Sequence, residues 1–175
     1  MRYFLDTEFI EDGKTIDLIS IAFVCEDGRH LYRGNAECDL NRANEWVQKN
    51  VIPILPTKHS EWSGEFWCSR ETIKNQILGF MPPDSKPEIW AYFADYDWVA
   101  FCQLFGRMID LPNGYPKWCR DLKQLMWHLQ VDRPPKSWDK EHDALADARW
   151  NKDLFEKLAK RAGCFSDVNL IELRI

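Results

Sequence analysis

Two acidic residues lie within a strongly apolar segment near the start of the chain. Residues 3–10 read YFLDTEFI, where large apolar residues surround Asp6 and Glu8. The apolar residues predict a β-strand that enters a hydrophobic core. Side chains two residues apart share one face of a strand, so both carboxylates emerge together, with α-carbons roughly 6.5 to 7 Å apart. Because an unpaired buried charge is strongly unfavourable, this segment either needs a partner for both acids or is an exposed edge strand.

Two predicted helices also begin their apolar faces with an acid. In a helix predicted over residues 97–109, the apolar stripe extends back by four residues to Asp97. In a final helix predicted from about 143 to 161, it extends back by three residues to Asp147. Asp97 also fits an N-cap or a first-turn acid, and Asp147 a salt bridge to a nearby lysine or arginine. The stripes consist of Phe101, Leu104 and Met108 in the first helix and of Trp150, Leu154 and Leu158 in the second.

Four acids from three elements that face one core repel one another unless cations lie among them. Mg²⁺ and Mn²⁺ take carboxylate oxygens together with water and phosphate oxygens. Two such ions, about 3.5 to 4 Å apart, hold the attacking and leaving oxygens of a phosphodiester. The sequence therefore predicts a metal centre formed by Asp6, Glu8, Asp97 and Asp147. Asp95 is an alternative ligand, but Asp97 is favoured because it begins the apolar stripe.

A histidine precedes the last predicted helix. His142 lies five residues before Asp147, a spacing that separates the two side chains on a regular helix. A histidine on the loop that enters the helix can nevertheless lean over the acids and take a proton from water. The alternative is a surface histidine. The preceding loop, 132–140, carries Trp138 and two lysines, which suit base stacking and phosphate contact or an ordinary solvated loop.

The composition limits the class of protein. A chain of 175 residues, 45% apolar and 29% charged, fits a single domain over 1–175, with a core over about 1–161 and a short C-terminal tail. The net charge of −5 argues against coating long duplex DNA, but a nuclease whose ions supply positive charge is compatible with it. Six cysteines without a CxxC pair, no secretory leader and short apolar runs predict a cytoplasmic protein without a membrane span or a zinc site.

The order of the predicted elements indicates an α/β fold. Three opening strands are followed by helices and one further strong strand, which predicts a mixed sheet flanked by helices. The strands are predicted at about 2–9, 16–25, 29–33 and 88–93, the helices near 41–50, 70–80, 97–109, 121–129 and 143–161, and long loops at 53–69 and 132–140. Ser69 and Asp121 are predicted helix caps. The buried face predicted for the first helix consists of Ala43, Trp46, Val47 and Val51.

The polar motifs occur in the order of a known group of nucleases. The D-x-E strand, the Tyr96-Asp97 step and the H-x-x-x-x-D segment from His142 to Asp147 resemble the DEDDh 3′–5′ exonucleases of the ribonuclease-H-like superfamily. MRYFLDTEFIEDGKTIDLISIAFVCEDGR, AYFADYDWVAFCQLFG and HDALADAR resemble more closely the bacterial polyadenylate-specific 3′-exoribonuclease AS family, up to about residue 161. The resemblance implies a ribonuclease-H-like mixed five-stranded sheet flanked by helices.

The same resemblance implies a function for each polar residue. Asp6, Glu8 and Asp147 would be the principal ligands of two Mg²⁺ or Mn²⁺ ions, Asp97 would hold the second ion, and His142 would be the general base. The implied reaction releases nucleoside 5′-monophosphates from the 3′ end of single-stranded RNA, with a preference for adenylate tails, in a homodimer.

Further contacts and other functions stay open at this point. Phe9, directly after Glu8, lies against the terminal base or in the core, and Thr7 and Trp138 are further predicted substrate contacts. The alternative functions are a 3′–5′ exodeoxyribonuclease of phage or plasmid type, a metal-independent glycosidase with paired carboxylates, and a non-enzymatic nucleic-acid-binding module.

Overall fold

The segment that carries the two acids forms β1 (Arg2–Glu11) in the middle of a mixed sheet, in a computed structural model that describes residues 1–56, 63–134 and 142–161. The other strands are β2 (Ile16–Cys25), β3 (His30–Asn35), β4 (Trp67–Cys68), β5 (Glu88–Ala91) and β6 (Arg120–Asp121). Their order in the sheet is β4-β3-β2-β1-β5-β6. The first three strands pair antiparallel, and the remaining pairs are parallel.

The predicted mixed α/β sheet is confirmed, but within the described residues it contains six strands instead of five. The difference arises at the two edges, where β4 and β6 have two residues each. Strands of this length contain no repeat from which an apolar period could be recognised. The strand predicted at 88–93 ends earlier, at Ala91, and the two aromatic residues that follow lie in a turn.

Six α-helices cover the sheet in the described ranges. They are α1 (Glu45–Asn50), α2 (Ser63–Phe66), α3 (Arg70–Phe80), α4 (Asp95–Gln103), α5 (Leu122–His128) and α6 (Ala144–Arg161). The predicted caps are confirmed, because Ser69 accepts the Thr72 amide at 3.2 Å and Asp121 accepts the Lys123 amide at 2.6 Å. Among these helices, none combines the length and the apolar character that crossing a bilayer requires. The five cysteines in the described ranges are free thiols.

Two predicted apolar faces are wrong in part. The helix predicted to reach residue 109 ends at Gln103, because Gly106 adopts a left-handed conformation with φ of 111°, and Met108 lies in a following 3₁₀ turn, half exposed. α1 begins only at Glu45, after the cap Asn44. Val47, together with Ala43 and Val51 at the two ends of the helix, is buried as predicted, whereas Trp46 is 52% exposed.

The side chains of β1 alternate between two cores. Tyr3 and Leu5 pack in a core with α3 and α4, whereas Phe4 packs in a second core with α5 and α6. The same alternation places Thr7 on the α4 face of the sheet and Asp6 and Glu8 on the α6 face. The two acids therefore face the helix that was predicted to carry Asp147.

Candidate active site

Three carboxylates come together between β1 and α6. Asp6, Glu8 and Asp147 each place one oxygen within 4.8 Å of the others. Glu8 and Asp147 are buried, at 8% and 6% exposure, and Asp6 is half-buried. Three ionised carboxylates at this spacing repel one another, and a hard divalent cation relieves the repulsion. A donor set made only of carboxylate oxygens is the kind that Mg²⁺ and Mn²⁺ bind, so these residues fit the predicted ions.

An asparagine on α6 holds the helix against β1 beside this group. Asn151 lies one turn after Asp147 on the same face of α6 and is 1% exposed. Its Nδ2 donates to the backbone oxygen of Leu5, the residue before Asp6, at 2.8 Å. The hydrogen bond therefore joins the backbone next to Asp6 to the helix turn that presents Asp147. Asn151 was not predicted as a site residue, although its position four residues after Asp147 and three before Leu154 places a polar side chain on the apolar face.

β1 changes its pairing at the acids. The register between β1 and β2 shifts between Glu8 and Phe9, which marks a bulge or irregularity at this point. Such irregularities re-aim side chains next to functional sites. Phe9 is half-buried, and its ring meets that of Tyr96 edge to face, with centroids 5.5 Å apart. Packing in the core and contact with a substrate base both remain compatible with this position.

Asp97, the fourth predicted ligand, is not among the carboxylates whose oxygens lie within 4.8 Å of one another, and Thr7 holds it instead. Its Oδ1 accepts the Thr7 amide at 2.8 Å and the Thr7 hydroxyl at 2.6 Å. It belongs to the first turn of α4, whose N-cap is Ala94, so the capping alternative is wrong. Asp97 is 6% exposed, whereas Asp95 is exposed. The structure therefore ties Asp97, and not Asp95, to the strand residue between Asp6 and Glu8.

Burial dominates the electrostatics of Asp97. Loss of hydration raises the pKa of its carboxyl to about 7, and the two hydrogen bonds from Thr7 offset only part of this increase. That value of about 7 includes smaller increases caused by the nearby carboxylates of Asp121 and Asp147. The Thr7 hydroxyl is thus committed to Asp97, and a direct contact of Thr7 with substrate remains a prediction.

His142 lies two residues before the start of α6, on the segment that enters the helix as predicted, and contacts Asp147 through its backbone. Its amide donates to Asp147 Oδ2 at 3.3 Å, and its φ is 71°, a left-handed conformation that non-glycine residues seldom adopt. Strained backbone of this kind is concentrated at functional sites. The imidazole meets the Trp46 ring edge to face, with centroids 4.7 Å apart. The local sequence around His142 contains no signal for this distant partner.

Asp143, the residue between His142 and α6, accepts two hydrogen bonds. Asp143 accepts the Ala146 amide at 2.9 Å and so caps α6. The Tyr32 hydroxyl on β3 donates to the other carboxylate oxygen of Asp143 at 3.4 Å. Trp138 and the two lysines beside it fall within 135–141, outside the described residues.

The comparison with known proteins identifies the family. The family described as the 3′-5′ exoribonuclease Rv2179c-like domain matches residues 1–159. The chain belongs to this family. Two Mycobacterium tuberculosis proteins, 3′-5′ exoribonuclease Rv2179c of strain ATCC 25618 / H37Rv and 3′-5′ exoribonuclease MT2234.1 of strain CDC 1551 / Oshkosh, are each 46% identical to it over 151 residues, which cover 85% of this chain and 88% of theirs. Membership in the Rv2179c-like family confirms the predicted enzyme class, a 3′–5′ exonuclease.

A solved structure supports the predicted fold. The structure of S. pombe Pop2p in its Mg²⁺- and Mn²⁺-bound form is similar to this chain, with a TM-score of 0.56, and the match covers 95% of this chain and 86% of that one. The sequences are 13% identical, so the likeness concerns the fold alone. It confirms that this member of the Rv2179c-like family has the ribonuclease-H-like architecture.

Proposed function

We propose that the chain is a metal-dependent 3′–5′ exoribonuclease of the DEDDh type that hydrolyses single-stranded RNA from its 3′ end to nucleoside 5′-monophosphates. The observation that carries the proposal is the group of Asp6, Glu8 and Asp147, with oxygens within 4.8 Å of one another. RNA is the proposed polymer because the two M. tuberculosis relatives are named 3′-5′ exoribonucleases.

The three carboxylates would hold two Mg²⁺ or Mn²⁺ ions, with Asp97 next to them. When bound, such ions stabilise the negative charge that develops on the phosphodiester during hydrolysis. Thr7 keeps one oxygen of Asp97 fixed through two hydrogen bonds. The register shift after Glu8 supports the proposal, because it occurs at a residue whose carboxylate would hold the ions.

His142 is the proposed general base. In this role its imidazole accepts a proton from the water that attacks the terminal phosphorus, while the 3′-oxygen of the preceding nucleotide leaves. The hydrogen bond from the His142 amide to Asp147 keeps its backbone beside the three carboxylates. The edge-to-face contact with Trp46 limits the orientations that the imidazole can adopt.

The finer points of the proposal rest on the resemblance. The resemblance to the polyadenylate-specific AS family supports a preference for adenylate, a homodimer and a cytoplasmic location. Phe9 is the proposed contact of the terminal base, and its ring is already supported by Tyr96. Trp138 remains a predicted substrate contact.

The experiment that tests the function follows a single-stranded RNA oligomer labelled at its 5′ end in Mg²⁺. We expect a ladder that shortens from the 3′ end, no products in EDTA, and slower degradation of a DNA oligomer of the same sequence. Asp147→Asn, purified in parallel, excludes a contaminating nuclease. Oligomers that end in adenylate or uridylate, mixed in one reaction, test the base preference.

Each rival function has its own outcome. Faster loss of the DNA oligomer would identify an exodeoxyribonuclease, and activity that survives EDTA would identify a metal-independent hydrolase. Binding of the RNA without any product would identify a binding module.

A further inference from the structure

The turn after β5 exposes an aromatic side chain on a strained backbone. Phe93 has a φ of 58°, in the left-handed region that disfavours bulky residues, and it is 62% exposed. An exposed apolar ring contributes little to stability, and a left-handed conformation of a bulky residue is itself unfavourable. Folding therefore does not explain why phenylalanine occupies this position, and strain of this kind is concentrated where a ligand is bound.

Neighbouring residues hold this turn in one conformation. Asp121 Oδ2 accepts the amide of Ala94 at 2.8 Å, which fixes the backbone directly after Phe93. The Tyr92 ring meets the Phe93 ring edge to face, with centroids 4.7 Å apart, and meets Trp150 of α6 in the same manner at 5.1 Å. The Phe93 ring thus contacts the half-buried Tyr92, which packs in turn on the buried Trp150, while most of the Phe93 surface faces solvent.

The turn lies at the same edge of the sheet as the carboxylates. β1 and β5 are parallel neighbours, and their register pairs Phe4 with Trp90. Extending this register by two residues along the two parallel strands brings Asp6 level with Tyr92, the first residue after β5, so Phe93 follows close to the level of the proposed metal ligands. Asp97 follows Phe93 by four residues, in the first turn of α4.

A positive charge lies near the aromatic residues. The guanidinium of Arg133 lies over the rings of both Tyr92 and Trp150, 5.5 Å from each centroid, and Arg133 is exposed. An exposed ring beside an exposed guanidinium matches the chemistry of a single-stranded nucleic acid, whose bases stack on aromatic faces and whose phosphates attract cations.

We propose that Phe93 is a base-binding residue of this enzyme: the base of the penultimate nucleotide, just upstream of the scissile bond, stacks on its ring, and Arg133 attracts the adjoining phosphate. The inference rests on the proposed exoribonuclease function and deepens it. It accounts for the strain, because the left-handed turn exposes the ring at the same edge of the sheet as the three carboxylates.

The decisive variant is Phe93→Gly, because glycine adopts the left-handed conformation without strain and removes the ring. We expect a melting temperature no lower than that of the wild type, together with a rise in KM for single-stranded RNA of about 5-fold to 100-fold. Phe93→Trp, which keeps a stacking surface, retains a KM within about twofold of the wild type. Trp127→Ala removes an aromatic ring that is 76% exposed on α5 and leaves KM unchanged.

A modified substrate identifies the base concerned. An RNA oligomer with an abasic ribose at the penultimate position has no base to stack on residue 93, so wild type and Phe93→Gly should cleave it with equal KM. An unchanged KM for normal RNA in Phe93→Gly, or an equal loss with the abasic oligomer, would overturn the proposal.

Binding distinguishes this proposal from the proposed function. Fluorescence anisotropy of the same labelled oligomers in EDTA measures affinity without turnover. If the wild type cleaves no RNA, the proposed exoribonuclease function is wrong. The anisotropy still shows whether Phe93 contributes to RNA binding. A Kd weakened about 5-fold to 100-fold in Phe93→Gly, for normal RNA only, supports the proposal, and equal Kd values refute it.

Discussion

The acids on the two faces of β1 are held in opposite ways. On the α6 face, Asp6 and Glu8 meet Asp147 with oxygens within 4.8 Å, a concentration of negative charge that favours a cation. On the α4 face, Asp97 meets Thr7, which donates two hydrogen bonds of 2.8 and 2.6 Å to a single oxygen. The first group is compatible with a bound divalent cation, whereas the carboxylate of Asp97 is fixed by hydrogen bonds. β1 thus has the three-carboxylate group on one face and the hydrogen-bonded pair of Thr7 and Asp97 on the other.

The largest effect is expected from His142, the proposed general base, which lies beside the carboxylates of the α6 face. His142→Ala should lower kcat by about 10² to 10⁴, because the proton of the attacking water loses its acceptor. Its backbone hydrogen bond to Asp147 does not depend on the side chain, so Mg²⁺ binding should stay largely intact. Calorimetric titration measures the affinity for Mg²⁺, and single-turnover kinetics measures the rate of the chemical step, so the two effects can be separated. A loss of Mg²⁺ affinity as large as the loss of rate would contradict the role of general base.

The positions of the acids on the α6 face could be predicted from the sequence. The D-x-E pattern and the stripe from Asp147 through Leu154 depend on strand and helix periods, which are local and legible in one chain. The structure brings Asp6, Glu8 and Asp147 together as these periods require. The helices capped by Ser69 and Asp121 were predictable for the same reason, since a cap is a local interaction.

The hydrogen bonds between Thr7 and Asp97 on the α4 face and the contact between Trp46 and His142 could not be predicted from the sequence. Thr7 and Asp97 are 90 residues apart, and neither sequence context indicates a hydrogen bond between them. Trp46 was assigned to a buried face because its spacing fits a longer helix, but α1 begins at Glu45 and the ring packs against His142. Such contacts depend on how distant elements pack against each other. This packing leaves no periodic pattern in a single sequence.

The second prediction tests whether Asp97 differs from its neighbouring acid. Asp97→Asn should lower activity by about 10-fold to 100-fold, the range for residues that support a metal site, whereas Asp95→Asn should leave activity within about twofold. The reason is that Asp97 is buried against Thr7 and Asp95 is exposed. The two variants change the same functional group at positions two residues apart. Equal losses would show that the general negative charge of this turn, and not the tie to Thr7, matters.

Asp97 should also make the stability of the metal-free protein depend on pH. Burial raises the pKa of its carboxyl from 3.8 to about 7, so the folded state holds the proton more tightly than the unfolded chain. The free energy of unfolding in EDTA should therefore fall as pH rises from 3.8 to about 7. Asp97→Asn keeps an oxygen for both Thr7 bonds and does not titrate. At pH 8 it should be more stable than the wild type by at least about 1 kcal/mol, the value of one pKa unit. Urea unfolding at pH 5 and pH 8 measures this.

Thr7 tests the same face with a smaller change. Thr7→Val keeps the branched shape and the backbone amide but removes the hydroxyl that donates to Asp97. Because that bond lowers the pKa of Asp97, its loss should raise the pKa further and lower kcat by about 10-fold, the value of a hydrogen bond of about 1.4 kcal/mol. Thr7→Ser, which keeps a hydroxyl, should restore most of the rate. Failure of serine to do so would assign the effect to packing.

The smallest effect should come from the asparagine that holds α6 to β1, for which the chain supplies a matched control. Asn151 and Asn35 are each 1% exposed, and each donates from Nδ2 to a leucine carbonyl, that of Leu5 at 2.8 Å and that of Leu18 at 2.9 Å. Alanine at either position leaves a buried carbonyl without its donor, so both variants should lose about 1 to 3 kcal/mol of stability. Only Asn151→Ala also loosens the turn that presents Asp147 beside Asp6, and it should weaken Mg²⁺ binding by about 3-fold to 10-fold. The rise in melting temperature with Mg²⁺ concentration reports that affinity independently of turnover. An equal Mg²⁺ response in the two variants would mean that the hydrogen bond of Asn151 stabilises the fold without positioning the carboxylates.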